Sequence, residues 1–199
     1  MKNWKLGFLA SHRGTNMQAI IDACHDGRIA AEPVVVISNN GKAGALDRAR
    51  NAGIPAYHFS PANFADEGEL DRVMTDALQR HGVDLVLLAG FMRKVGEAML
   101  TAFPGRILNV HPALLPGFGG KGMYGMKVHE AVLAAGETES GATIHVVDAG
   151  YDTGRILAQR RVPVEPGDTP ETLAARVLRV EHEAYVDCVR RITRGEIPL

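Results

Sequence analysis

Two polar side chains lie two residues apart in the segment Asn109-Val110-His111-Pro112-Ala113-Leu114-Leu115-Pro116, at the end of an apolar run. Side chains alternate along a strand with a period of two, so we expect Asn109 and His111 to share a face while Val110 points into the core. An amide can donate to a developing oxyanion, and an imidazole can donate or carry a proton. The pattern predicts a site for acyl-type transfer chemistry.

A carboxylate follows in the run Asp148-Ala149-Gly150-Tyr151-Asp152-Thr153-Gly154, which its glycines mark as a loop. If Asp152 comes close to His111, its negative charge favours the imidazolium. We therefore expect the pKa of His111 to be raised to neutrality or above. A purely structural Asn-x-His-Pro turn is the alternative that these residues leave open.

The first turn of the chain, Ser11-His12-Arg13-Gly14-Thr15-Asn16, follows an apolar strand and opens a helix. Backbone N–H groups at a helix N-terminus can bind a phosphate. The spacing matches neither the phosphate-binding loop of nucleotide hydrolases nor the dinucleotide fingerprint. An ordinary helix cap, with Arg13 in solvent, is the alternative.

A second turn, Leu88-Ala89-Gly90-Phe91-Met92-Arg93-Lys94-Val95, follows the fourth apolar run. Gly90 permits close backbone approach, and extended main chain there could offer donors and acceptors to a flat heterocycle. Solvated charges at Arg93 and Lys94 beside a packed Phe91 and Met92 are the alternative.

The other histidines predict less. Capping or solvent positions are expected for His25, His58, His81 and His129. His145 lies in a strand pattern and is either a partner of the site or a hydrogen-bonded core residue. No spacing of cysteines and carboxylates indicates a metal site.

Alternating strands and helices must position these groups. Strands are expected at Lys5 to Ser11, Val34 to Asn39, Ala56 to Phe59, Val83 to Ala89 and Ile107 to His111. Helical spacing precedes Gly27 (Met17, Ile20, Ile21, Cys24) and Gly82 (Leu70, Val73, Met74, Ala77, Leu78). These patterns predict an α/β fold with a doubly wound, mostly parallel sheet, whose ligands bind beyond the carboxyl ends of the strands.

The C-terminal part of the chain differs from the N-terminal part in its glycine content and in its pattern of strands. A glycine-rich segment from Gly117 to Val128 predicts a mobile loop, followed by a short helix over His129 to Ala135. Strands at Ala142 to Val147 and Ile156 to Val164 predict an antiparallel or mixed extension of the sheet. A long helix, capped by Thr169 with Pro170 in its first turn, should run up to Gly195.

Length, net charge and cysteine content limit the classes of function that the chain could have. The 199 residues fit one domain. The net charge of −1 gives no positive electrostatic field that would attract nucleic acid or an anionic membrane. Cys24 and Cys188 indicate no disulfide framework, and no export or membrane segment is evident, so a cytoplasmic location is expected.

These motifs, in this order, resemble those of the phosphoribosylglycinamide formyltransferases, folate-dependent enzymes of purine synthesis. The similarity runs nearly end to end. It rests on residues 14–16, 89–93, 109–116, 141–145, 152–154 and 181–185. The resemblance implies 10-formyltetrahydrofolate as cosubstrate and no metal. It also implies that the single domain divides into a phosphate-binding half (1–105) and a catalytic and folate-binding half (106–199). Its partners would be small molecules, and the protein would be a monomer or weak homodimer.

The resemblance also implies roles for individual residues. Asn109, His111 and Asp152 match the family's catalytic set, and Thr143 matches a nearby hydroxyl position. The acceptor-binding residues would be Gly14, Thr15, Asn16, Gly90 and Glu181, and the folate ring would lie against the backbone of Met92, Arg93, Lys94 and Val95. The implied mechanism is direct attack of the acceptor amine on the formyl carbon, giving a tetrahedral intermediate whose oxygen is stabilised by Asn109 and His111.

Three alternatives stay open. A formyltetrahydrofolate hydrolase would use the same groups on water. Formyltransferases acting on charged tRNA or a sugar usually carry an added domain, which we do not expect here, and a tRNA acceptor favours a basic surface. A non-catalytic phosphosugar-binding module is the alternative from another class.

Overall fold

The protein is represented by a computed structural model, which describes residues 3–199. Within this range the strands are β1 (Trp4–Leu9), β2 (Ala31–Ser38), β3 (Ala56–His58), β4 (Leu85–Leu88), β5 (Ile107–His111), β6 (Glu139–Val146) and β7 (Ile156–Pro163). They form one sheet in the order β3-β2-β1-β4-β5-β6-β7. The first five strands pair in parallel, while β6 and β7 are antiparallel. The predicted doubly wound sheet with an antiparallel extension is confirmed.

The helices of the same range are α1 (Thr15–His25), α2 (Gly44–Asn51), α3 (Glu67–Arg80), α4 (Glu97–Ala102), α5 (Met126–Ala134) and α6 (Pro170–Thr193). The sequence patterns missed α2 and α4, which are too short to show a repeated apolar face. No helix among residues 3–199 has both the length and the apolar composition needed to cross a bilayer.

Alternation along the central strands creates two cores. In β1, Leu6 and Phe8 face α1, α2 and α6, while Leu9 faces α3 and α4. The same alternation separates Leu87 from Leu88 in β4. Because both faces of the strands are covered, these strands are apolar throughout rather than alternating with polar residues.

Local sequence signals set several helix ends. Thr169 and Thr172 form a reciprocal capping box at the start of α6, with Pro170 in the first turn, as predicted. The side chain of Asp66 accepts a hydrogen bond of 2.7 Å from the backbone N–H of Glu69 at the start of α3. α5 begins at Met126 rather than at the expected His129, immediately after Gly125 with φ 57°. The glycine-rich loop is therefore shorter than predicted.

The strand order reverses direction around β1, which lies between β2 and β4. There the backbone N–H of Ser11 donates to the carbonyl oxygen of Gly90 at 3.0 Å, joining the two loops that leave β1 and β4. Such a switch point leaves a crevice beyond the carboxyl ends of the strands. The predicted motifs lie at this crevice.

Candidate active site

A cavity of about 660 Å³ fills the crevice. Its lining includes nearly every residue that the sequence analysis proposed for the site: Gly14, Thr15, Asn16, Gly90, Met92, Arg93, Lys94, Val95, Asn109, His111, His145, Asp152 and Glu181. A depression of about 720 Å³ between α3 and α4 is larger but contains none of Asn109, His111 and Asp152. The smaller cavity is therefore the candidate active site.

Asn109 is oriented by a neighbouring strand. It pairs across the β5–β6 ladder with His145, and its Nδ2 donates to His145 Nε2 at 3.1 Å. His145 Nδ1 in turn donates to the carbonyl oxygen of Val146 at 2.9 Å, which assigns the proton to Nδ1 and leaves a lone pair on Nε2. The amide of Asn109 is held by one N–H and has a second N–H to offer to a ligand.

His111 is held at both ends of its ring. Its Nε2 lies 2.8 Å from the carbonyl oxygen of Phe118, so Nε2 carries a proton and donates it. Its Nδ1 lies 3.6 Å from Asp152 Oδ2, beyond hydrogen-bond range. When the ring is neutral, the lone pair is therefore on Nδ1, on the side of the carboxylate.

Asp152 reaches both histidines from the β6–β7 loop. Its Oδ1 lies 3.5 Å from His145 Nε2, and its Oδ2 accepts a hydrogen bond of 3.0 Å from the backbone N–H of Gly120. Phe118 (φ 53°) and Asp152 (φ 57°) are non-glycine residues in the left-handed region, and each presents a group to His111. Unfavourable backbone conformations of this kind are often retained at functional sites.

The prediction that the pKa of His111 is raised is wrong, because its net shift is downward. Burial, which penalises the charged ring, lowers the pKa of His111, and the opposing effects of Asp152 and the Phe118 carbonyl do not compensate. Asp152 does act in the expected direction. The sequence could not reveal the burial of His111, which leaves 3% of the residue exposed.

Burial raises the pKa of Asp152, but the nearby histidines and the Gly120 N–H outweigh it. The proximity of His145, the charge that His111 carries when it is protonated and the backbone N–H of Gly120 together hold the pKa of Asp152 below its usual value. The carboxylate is therefore ionised near neutral pH and can stabilise a charged His111.

The first loop opens α1 as expected. Gly14 is in the left-handed conformation (φ 68°), and a Cβ there would approach Ala45 to 2.7 Å. The first turn of α1 contains no acidic residue. Asn16 Nδ2 donates to Glu181 Oε2 at 2.6 Å, and this buried contact joins α1 to α6 across 165 residues. Burial raises the pKa of Glu181, although the hydrogen bond from Asn16 opposes it.

The second loop, after β4, is partly occupied by contacts within the protein. The N–H of Met92 donates to Ser11 Oγ at 2.8 Å, so this donor is already engaged. Arg93 is paired with Glu67 at 2.8 Å, and Lys94 lies 5.3 Å from the centre of the Tyr151 ring. The side chain of Val95 packs into the core, which leaves its backbone toward the cavity.

Thr143 is part of the scaffold rather than the cavity wall. Its hydroxyl donates to the carbonyl oxygen of Ala113 at 2.6 Å and accepts from the N–H of Leu115 at 3.0 Å and from Gln159 at 2.9 Å. These bonds fix the turn that follows His111. Thr143 is completely buried and does not line the cavity.

Two residues that help to form the cavity, Ser11 and His129, were not assigned to the site from the sequence. Ser11 ties together the loops after β1, β2 and β4 through Asn39, Asn40, Gly90 and Met92. His129, expected in solvent or at a cap, is 4% exposed and lines the cavity. Its spacing of three from Val132 on the apolar face of α5 was a signal for burial.

Metal ligation finds no support in the geometry. Within residues 3–199, no group of three or more histidine, cysteine or acidic side chains is arranged to hold a metal ion. Cys24 and Cys188 are both free thiols, and burial raises the pKa of each to about 12.

Comparisons with known proteins agree with this geometry. Residues 4–189 match the family described as formyl transferase. The chain is 40% identical over 195 residues to phosphoribosylglycinamide formyltransferase of Haemophilus influenzae, covering 98% of this chain and 90% of that protein. It is 46% identical over 194 residues to the chloroplastic enzyme of that name from Arabidopsis thaliana, covering 97% of this chain.

The chain spans 66% of the length of the Arabidopsis relative, just under two thirds. Among solved structures, glycinamide ribonucleotide transformylase 1 of Symbiobacterium toebii superposes with a TM-score of 0.94 at 44% identity, covering 99% of this chain and 91% of that one. The chain belongs to the formyl transferase family and, within it, to the phosphoribosylglycinamide formyltransferases.

Proposed function

We propose that this protein transfers the formyl group of 10-formyltetrahydrofolate to the amine of 5-phosphoribosylglycinamide in purine synthesis. The observation that carries the proposal is the meeting of Asn109, His111 and Asp152 in one cavity, although Asp152 comes from a different part of the chain. The relatives' names supply the acceptor, and the site supplies groups suited to acyl transfer.

The acceptor would lie between α1 and α6. The uncapped N-terminus of α1, with Gly14 and Thr15, suits a phosphate because its N–H groups and dipole favour an anion. Asn16 and Glu181 form a buried polar pair at the same wall, which suits the ribose hydroxyl groups. Gly90, with φ 74° and no described atom within 4 Å of the point that a Cβ would occupy, leaves room beside the acceptor.

The folate would lie on the other side, along the loop after β4. There residues 93–95 line the cavity, whereas the Met92 N–H is already bonded to Ser11. Met92 (43% exposed) and Tyr151 (44% exposed) are large apolar side chains at the mouth of the same cavity. An aromatic ligand would cover both and remove that surface from water.

In the proposed mechanism Asn109 stabilises the oxyanion and His111 carries the proton. In the direct reaction, the acceptor amine forms a bond to the formyl carbon, and the second N–H of Asn109 donates to the oxygen that becomes negative. The proton of the attacking amine passes to Nδ1 of His111, since Nε2 already donates to Phe118. His111 then returns that proton to N10 of the folate as the C–N10 bond breaks.

Asp152 stabilises the charged state of His111 during this transfer. The ionised carboxylate lies 3.6 Å from Nδ1, so it attracts the imidazolium without holding the neutral ring in a hydrogen bond. The resemblance implied that His111 also stabilises the oxyanion. The position of its protons in this structure favours the role of proton carrier instead.

The deciding experiment is an assay of formyl transfer with and without glycinamide ribonucleotide. We expect formylated product and tetrahydrofolate only when the acceptor is present. Asn109→Ala should lower kcat by a factor of about 100 to 1,000, the usual effect of removing an oxyanion donor, with little change in either KM.

Asn63→Ala is the matched control, because Asn63 is exposed and does not line the cavity. It should leave kcat unchanged. Release of formate at the same rate without acceptor would instead identify a formyltetrahydrofolate hydrolase. Binding of the phosphorylated acceptor with no turnover at all would support the non-catalytic module.

The cytoplasmic location and the monomeric or weakly dimeric state remain predictions. Sedimentation of the purified protein over a range of concentrations would measure the latter.

A further inference from the structure

One buried imidazole in the cavity has no part in the mechanism above. His129 lies on α5, is 4% exposed and lines the same cavity as Asn109 and His111. Within residues 3–199, its Nδ1 has neither solvent contact nor a hydrogen-bond partner. A buried polar atom left unpaired lowers the stability of the folded state, so it needs an explanation such as a missing ligand.

His129 lies on the acceptor side of the cavity. α5 packs along α6, where Val132 belongs to one apolar cluster with Leu173 and Val177. The cavity face of α6 continues from Ala174 through Leu178 to Glu181. His129 thus borders the wall that ends at the Asn16–Glu181 pair, whereas the proposed folate segment comes from the loop after β4.

The protonation state of His129 suits an acceptor of hydrogen bonds. Burial lowers the pKa of His129, and the charge of the neighbouring His111 lowers it further. The ring is therefore neutral near pH 7, and one of its nitrogens carries a lone pair. With the proton on Nε2, that lone pair is on the unpartnered Nδ1.

We propose that His129 positions the acceptor substrate by accepting, at Nδ1, a hydrogen bond from an N–H of its aminoacetamide group. This inference rests on the proposed function. The aminoacetamide group joins the ribose, which Glu181 would hold, to the amine that attacks beside His111. That group runs from Glu181 toward His111, and His129 lines the same cavity close enough to His111 for their charges to interact.

Three substitutions test which ring atom matters. His129→Asn keeps a polar atom near the position of Nδ1, His129→Gln moves it to that of Nε2, and His129→Phe removes both. We expect His129→Phe and His129→Gln to raise the KM for glycinamide ribonucleotide roughly tenfold, the effect of losing one buried hydrogen bond. His129→Asn should stay within about threefold of the unaltered protein, and the KM for 10-formyltetrahydrofolate should change little in all three.

His182 provides the control, since its Nε2 is also buried without a partner in the described part of the chain but lies outside the cavity. His182→Phe should leave both KM values unchanged. An unchanged acceptor KM in His129→Phe, or an equal rise in both KM values, would overturn the proposal. So would equal losses in all three variants, which would indicate a structural role.

A binding measurement separates this inference from the proposed function. Glycinamide ribonucleotide alone should shift the ring-nitrogen NMR signal of His129 Nδ1, and tetrahydrofolate alone should not. No shift with the ribonucleotide would overturn the inference even in a protein that catalyses formyl transfer. Absence of formylated product with the unaltered protein would instead reject the proposed function.

Discussion

At the scale of single residues, the site depends on fixed proton positions. The Nδ1–H of His145 donates a hydrogen bond to the carbonyl oxygen of Val146, and its Nε2 accepts one from the Asn109 amide. The Asn109 carboxamide therefore has one orientation. The Nε2–H of His111 donates a hydrogen bond to the carbonyl oxygen of Phe118. Because carbonyl oxygens can only accept, each contact assigns a tautomer and determines which nitrogen can meet the substrate.

The electrostatic coupling between Asp152 and His111 can be measured directly. In Asp152→Asn the raising effect of the carboxylate is lost while burial remains, so the pKa of His111 should fall further below its ordinary value. Histidine NMR titration measures this pKa. Asp148→Asn is the control, because Asp148 lies in the same loop but bonds to Gly150 and Thr153. Equal values in both variants would reject the coupling.

At the scale of elements, the antiparallel extension of the sheet positions the segment that carries Asn109 and His111. β6 aligns His145 with Asn109 and Thr143 with His111, and Thr143 then fixes the turn after β5. The close approach of β7 requires glycine at position 141, where a Cβ would overlap the carbonyl oxygen of Arg160 and lie 2.8 Å from Leu114. The spacing of these strands therefore depends on a missing side chain.

Replacing this glycine should weaken the extension. Gly141→Ala forces β6 and β7 apart, and we expect the free energy of unfolding to fall by about 3 kcal/mol, the upper range for overpacking. Gly136→Ala is the matched control, because no described atom lies within 4 Å of its Cβ position and only its φ of 67° is unfavourable. It should cost about 1 kcal/mol. Urea unfolding measures both, and equal losses would contradict the strand-spacing argument.

At the scale of the whole molecule, buried histidines connect stability to pH. Burial lowers the pKa of His111, His129 and His182, so each binds a proton more readily when the chain is unfolded. Their contribution to stability is complete above the ordinary histidine value of 6.5 and declines as the pH falls below it. The raised pKa of Glu181 acts in the opposite direction, since it adds stability as the carboxyl group takes up its proton.

The free energy of unfolding should therefore fall from about pH 6.5 toward pH 5. His182→Gln removes one of the protons taken up on unfolding, so its slope against pH should be shallower than that of the unaltered protein. Urea titrations at several pH values measure the slope. A slope that is unchanged in His182→Gln would exclude this histidine as a contributor.

Local patterns predicted most of the elements. Runs of apolar residues located the strands, and Thr169 as a cap followed by Pro170 located the start of α6, because these signals depend on near neighbours in the chain. α2 and α4 escaped detection since each spans only two turns or so. The sequence patterns placed the start of α5 three residues too late, whereas the helix begins immediately after Gly125.

The sequence by itself determined that Asn109 and His111 share a face, because the period of a strand is a local property. It also determined the resemblance that assigns roles to Asp152 and Glu181. Only the tertiary structure decided that burial outweighs Asp152 at His111, that Phe118 occupies Nε2, and that His129 enters the cavity. Whether burial outweighs a nearby charge, and which distant segments meet, depend on how the whole chain packs rather than on a local pattern.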